Sequence, residues 1–96
     1  MAKHTITTRS QRTAEGWTIL VQVSEGGTES RHSVQVTEKD LEGLLGSSCS
    51  PEDLVRESFE FLLEREPKES ILPDFGILLI EKYFPEYREE IKRRLP

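Results

Sequence analysis

Cysteine is nearly missing from this sequence. Cys49 stands alone, so no internal disulfide framework can hold the chain, and the fold must come from burial and hydrogen bonding. Histidine is almost as scarce, with only His4 and His32. Two histidines and one cysteine without short ligand spacing do not make a zinc site, and neither a metal nor a cofactor is expected. Long apolar runs are lacking too. The longest, "ILLI" at residues 77–80, is far short of the ~20 residues a membrane-spanning helix needs, so no membrane partner is expected. No basic n-region followed by an apolar h-region opens the chain, which therefore reads as cytoplasmic. There is no glycine-rich phosphate loop either. "EGG" at 25–27 lies between two strand-like runs and opens no helix, so it reads as a hairpin turn.

What is present divides into two halves. At 96 residues the chain fits one domain with one core, and stability on the order of 5–14 kcal/mol follows from its length. Residues 1–36 carry a net charge of +1, with no acid in the first fourteen, against −6 for residues 37–96. The pattern changes at the same point.

The first half is β. In "WTILVQVSEGGTESRHSVQV", Trp17, Ile19, Val21 and Val23 alternate with Thr18, Leu20, Gln22 and Ser24, the period of a strand with one buried face. Gly26-Gly27 supplies the positive φ angles of a two-residue hairpin. Setting Glu25 opposite Thr28 places Val23 opposite Ser30, Val21 opposite His32, Ile19 opposite Val34 and Trp17 opposite Val36, which gathers the apolar residues on one side. Upstream, the Thr-rich "TITTRSQRT" turns at Ala14-Glu15, and this pairs Ile6 with Val23 and Thr8 with Val21.

The second half is helical. "VTEKDLEGLLG" has Thr37 as N-cap, Asp40 completing a capping box, Val36 and Leu41 as a hydrophobic staple, and Gly46 as the stop. In "SSCSPEDLVRESFEFLLERE", Ser50 caps, Pro51 takes the first helical position and Glu52 and Asp53 complement the dipole; Val55, Phe59, Leu62 and Leu63 line one face, and Pro67 ends the helix. "DFGILLIEKYF" reads as a helix of about three turns that starts at Asp74, stops at Pro85 and is apolar on every side. "PEYREEIKRRL" reads as a last helix, with Tyr87, Ile91 and Leu95 on one face. The expected fold is therefore α+β in a single domain: a three-stranded antiparallel meander over 1–36, with about four helices over 37–96 packed on one sheet face.

"SFEFLLEREPKESIL" and "YFPEYREEI" resemble segments of small uncharacterised prokaryotic proteins with this layout. The resemblance covers about the second half of the chain. It implies a fold and no activity, and it carries no site residue over.

Catalytic chemistry is thin, and no enzyme is expected. Cys49 precedes a helix N-terminus, a setting that can lower a thiol pKa, but no histidine lies near it in sequence and it reads as an incidental thiol. His32, opposite Val21, reads as a boundary histidine with one hydrogen bond. The carboxylates of "EREPKES" and "PEYREE" sit on solvated helix faces with no cleft to raise their pKa. No nucleophile, base and orienting group come together.

Two modes of binding are left. The first is protein–protein interaction through the helical half, with another protein or with a second copy of the chain as a dimer, using Phe75, Leu79, Ile80, Tyr83 and Phe84. A helix apolar all round must be covered all round, by its own domain or by a neighbour; several of these side chains left exposed in one chain would imply a partner. The alternative is a nucleic-acid-binding, antitoxin-like regulator that uses the outer sheet face. On the register above that face presents Thr5, Thr7, Arg9, Gln11, Thr18, Leu20, Gln22, Arg31, Ser33 and Gln35, with no acid among them. Arg9, Gln22, Arg31 and Gln35 are the residue types that read base edges, yet two arginines give a weak field against a net charge of −5. Nucleic acid is the weaker of the two.

Overall fold

The structure, a computed structural model, describes residues 4–45 and 49–95. Its elements in chain order are β1 (His4–Arg12), β2 (Gly16–Glu25), β3 (Thr28–Thr37), α1 (Glu38–Leu45), α2 (Pro51–Leu63), a 3-10 turn at Lys68–Ser70, β4 (Asp74–Gly76), α3 (Leu79–Tyr83) and α4 (Tyr87–Arg94). The fold is α+β. Among the described residues the strands form one mixed sheet in the order β1-β2-β3-β4, antiparallel except that β4 runs parallel to β3. Four α-helices accompany it among the described residues.

The hairpin register is the expected one, from Glu25 opposite Thr28 to Trp17 opposite Val36. Gly26 and Gly27 hold φ of 62° and 83°, a region closed to most side-chain-bearing residues. β1 also pairs as read, with Ile6 opposite Val23 and Thr8 opposite Val21. Its polar sequence is held in place from outside the sheet. Glu52, Arg56 and Glu60 stand four residues apart on α2 and therefore share a face. Glu52 accepts from the Thr8 and Ser10 hydroxyls at 2.9 and 2.7 Å; Arg56 donates to the Ile6 carbonyl at 2.6 Å; Glu60 meets His4 Nε2 at 2.6 Å. This polar stripe lies along the edge strand and occupies a backbone acceptor that would otherwise be open to another chain. The two hydrogen bonds to Glu52 hold its carboxyl below the usual range.

Gly16 is fixed by a close approach. A Cβ there would fall 2.1 Å from the Val36 carbonyl oxygen, where no side chain fits. Both helix starts follow the sequence. Asp40 N–H donates to Thr37 Oγ1 and Thr37 N–H to the Asp40 carboxylate, a reciprocal capping box, and Asp53 N–H donates to Ser50 Oγ ahead of Pro51. The expected stop at Gly46 lies outside the described residues.

One hydrophobic cluster joins the inner sheet face (Ile6, Ile19, Val21, Val23, Val34, Val36, Phe75) to Leu41 and Leu44 of α1, to Leu54, Val55, Phe59, Phe61 and Leu62 of α2, and to Tyr87 and Ile91 of α4. Phe61 packs edge-on against Phe84 and Tyr87, with centroids at 5.8 and 5.4 Å. Ser58, fully buried, donates to the Leu54 carbonyl at 2.7 Å and contacts the Tyr87 hydroxyl at 2.6 Å. Arg88 fixes α4 to its surroundings, bonding Glu81 through two nitrogens and the Gly43 carbonyl through a third.

The segment 74–84 departs from the expectation. It is not a helix of three turns. Asp74–Gly76 adds to the sheet edge, and only Leu79–Tyr83 are helical, one turn and a fraction. The reason is the free edge of β3: Ser33 N–H donates to the Pro73 carbonyl at 2.8 Å and Ile77 N–H to the Gln35 carbonyl at 2.9 Å, so pairing satisfies backbone groups that a helix would have left open on the sheet. The meander thus gains a fourth, parallel strand. Pro85, read as a first helical position, lies in the turn before α4.

Candidate functional site

The segment from the end of α2 to α3 builds a groove. Beyond Leu63 the backbone makes one more turn, with Glu66 N–H donating to the Leu62 carbonyl at 2.9 Å, and Pro67 then turns the chain away. Lys68, only 4% exposed, anchors the 3-10 turn. Its ammonium donates to Thr28 Oγ1 at 2.6 Å and pairs with the Glu69 carboxylate, which that contact holds below its usual pKa. Ile71 is buried, Leu72 is not, and the Leu72 carbonyl accepts from His32 Nδ1 at 2.8 Å. His32 therefore ties the connection to β3 one residue before Pro73 joins the sheet edge.

Between this connection and α3 lies a cavity of 380 Å³ open to solvent. It is lined by Leu62 and Glu66 on the α2 side, Ser70, Ile71 and Leu72 from the connection, Phe75 from β4, and Leu79, Ile80, Tyr83 and Phe84 along α3. Its floor is core: Leu62, Ile71, Phe75 and Ile80 are buried. Its rim is not. Tyr83 is 67% exposed and Leu72 44%, while Leu79 and Phe84 are half-buried. Among the described residues Glu66 is the one charged side chain in the lining.

All five residues singled out from the sequence as an interface, Phe75, Leu79, Ile80, Tyr83 and Phe84, line this groove. The apolar segment is shared between two roles that the sequence reading set against each other. Phe75, Ile77 and Ile80 enter the core; Leu72, Leu78 and Tyr83 are left at the surface. Sequence reasoning missed Leu62, Glu66, Ser70, Ile71 and Leu72. They come from the segment before β4, and only the parallel pairing brings them alongside α3.

Among the described residues no helix packs on the outer sheet face, which carries Arg9, Gln22, Arg31 and Gln35. It is not free of acid as expected. Glu29, opposite Ser24, and Asp74, opposite Ser33, share this face by register. Gln22 and Arg31 both bond to Glu29, and Gln35 Nε2 donates to Asp74 at 2.8 Å. The two guanidinium groups on the face are thus balanced by two carboxylates.

The remaining chemistry is structural in form. His32 is buried with two hydrogen bonds, not at the boundary with one. Because a carbonyl only accepts, Nδ1 carries the proton toward Leu72, and Nε2 lies in hydrogen-bond contact with the Ser30 hydroxyl at 2.8 Å. A hydroxyl, an imidazole and an orienting acceptor in sequence are the parts of an activated nucleophile, but neither Ser30 nor His32 lines the groove, and the ring packs on Phe59 with centroids 5.1 Å apart. Cys49 is half-buried, and burial, then the nearby Asp53 charge, push its thiol up, away from the reactive form. No cluster of three or more metal-ligating side chains occurs among the described residues, nor is any helix there long and apolar enough to cross a membrane. No family model, curated protein or solved structure matches the chain.

Proposed function

We propose that the protein acts by binding, as a cytoplasmic, non-catalytic interaction protein that holds an apolar segment of another protein in the groove between the end of α2 and α3. The observation that carries this reading is the combination of a core-built apolar floor with a rim of exposed Tyr83 and Leu72. Tyrosine beside an apolar pocket is the arrangement that dominates binding energy at protein interfaces. Self-association is the weaker form of the same reading. Stable interfaces take about 20–30 residues a side, and the groove offers ten, enough for an inserted segment and few for two whole domains.

Nucleic acid is weaker still. Affinity for a polyanion grows with the number of phosphates neutralised, and on the outer sheet face the charges of Arg9 and Arg31 are offset by those of Glu29 and Asp74. Photo-crosslinking distinguishes these readings. A photoreactive residue at position 83 in the cells that naturally make the protein should give a protein adduct that is lost on Leu72→Glu, while the same residue at position 20 on the sheet face should give none. Adducts at position 20 alone would overturn the groove reading.

A further inference from the structure

Apart from the hydroxyls of Ser70 and Tyr83, the described lining of the groove is apolar except for one carboxylate, and that carboxylate is unmatched. Among the described residues Glu66 has no side-chain hydrogen bond or ion pair, whereas its neighbours are engaged: Glu64 with Arg94, Glu69 with Lys68, Glu81 with Arg88 and Glu86 with Arg65. Glu66 stands just beyond the C-terminal end of α2, the negative pole of a helix of 13 residues whose last turn carries no basic side chain. α4, by contrast, ends in Lys92, Arg93 and Arg94. Arg65 does reach the Phe61 carbonyl at 3.0 Å, but its guanidinium lies over the Phe61 ring, 3.6 Å from the centroid, and it takes no part in the groove lining. Arg65 thus caps the helix end, and it is the unpaired Glu66 carboxylate among apolar groups that makes a local field favouring a cation.

We propose that the segment bound in the groove presents a few aliphatic side chains and, next to them, a lysine or arginine whose cation meets Glu66. This rests on the groove reading and narrows it. At 380 Å³ the space lies at the lower end of the ~300–1,000 Å³ of ligand pockets, so it admits a short anchor and not a whole helix face. The apolar residues supply affinity on Ile71, Phe75 and Ile80. The cation selects among apolar segments, because an acidic residue at the same place would face Glu66.

The test is selection of random displayed dodecapeptides on the purified, immobilised full chain, repeated with Tyr83→Ala, Glu66→Gln and Glu66→Lys. Both positions are partly or largely solvent-exposed, and circular dichroism checks that each variant is folded. The expected result is enrichment of apolar residues beside Lys or Arg, binding of the enriched peptides abolished by Tyr83→Ala and weakened about tenfold by Glu66→Gln, the size of one charge-assisted contact, and a switch to acidic flanks on Glu66→Lys. Apolar peptides with no basic bias, still lost on Tyr83→Ala, would overturn the cation proposal and leave the groove reading standing. No enriched peptide sensitive to Tyr83→Ala would overturn both. So would sedimentation showing a groove-to-groove dimer dissociated by Tyr83→Ala, which would make a second copy the occupant.

Discussion

The buried pair Ser58 and Tyr87 permits a quantitative test of how this small core is held. Both residues are fully inaccessible. Ser58 has one hydroxyl proton and spends it on the Leu54 carbonyl at 2.7 Å, so the 2.6 Å contact with Tyr87 is made by the phenol donating to Ser58 Oγ. The two single substitutions are therefore unequal. Tyr87→Phe removes a donor and leaves Ser58 still bonded to Leu54, at a cost of about 1 kcal/mol. Ser58→Ala leaves the phenol without an acceptor in a place water does not reach, and a buried unsatisfied group costs ~1–3 kcal/mol, less up to ~0.5 kcal/mol for the better helix propensity of alanine. The double variant has no orphaned group. Its cost should fall below the sum of the singles by on the order of 1 kcal/mol. Urea unfolding followed by circular dichroism resolves such differences, and in the melting temperature each kcal/mol is worth ~4–8 °C for a domain of this size. Strict additivity, within ~0.3–0.5 kcal/mol, or a Ser58→Ala variant as stable as the parent, would refute the donor assignment.

Further expectations concern the sheet, the helix termini and pH. Gly16→Ala should prevent folding or cost several kcal/mol, since its Cβ would collide with the Val36 carbonyl, whereas Gly43→Ala in α1 meets nothing within 4 Å and should stabilise by ~0.5–1 kcal/mol; thermal melts of the two separate close approach from mere flexibility. Arg56→Ala should speed hydrogen exchange throughout β1 while leaving the β2–β3 hairpin protected; equal loosening of both would show that the α2 stripe does not hold the edge strand. Burial holds the Tyr87 phenol above its ordinary value, so the stability it supplies is complete below about pH 10 and declines as the unfolded chain ionises above that; an alkaline difference spectrum should show Tyr87 ionising only on unfolding. Glu52 and Glu81, held below their ordinary value by hydroxyl and guanidinium hydrogen bonds respectively, have the opposite sign. They stabilise above about pH 4.5 and lose that effect as the pH falls below it, which acid titration of the melting temperature measures.

Legibility in the sequence followed the range of the interaction. The hairpin register was readable because the period of two and a Gly-Gly turn are both local, and the two N-caps because a capping side chain bonds within three residues of itself. β1 was readable only as arithmetic from its turn, since the residues that hold it, Glu52, Arg56 and Glu60, lie some forty to fifty-six positions away. The misreading of 74–84 has the same origin. Apolar groups on every side suggested a helix, yet Phe75 and Ile77 are buried while Asp74, Gly76 and Leu78 are exposed, an alternation present in "DFGIL" but too short to outweigh the run that follows. What decided it was the unpaired edge of β3, a demand that no local pattern displays. Five groove residues were identifiable as surplus apolar surface; Glu66 was one acid among many until the fold placed it in the lining.

The parallel pairing of β4 also sets an order of events. β1, β2 and β3 meet through tight turns, and such contacts form early because little chain must be closed to make them. β4 reaches β3 only after α1 and α2 have been threaded between, and it brings with it one whole wall of the groove. On contact order alone the groove is expected to be the last part of the molecule to be completed, held at its margin by three paired residues and the His32 and Ser33 hydrogen bonds. An occupant that touches both walls would close the same contact from outside, so binding in the groove and the final step of folding would draw on a single free-energy difference.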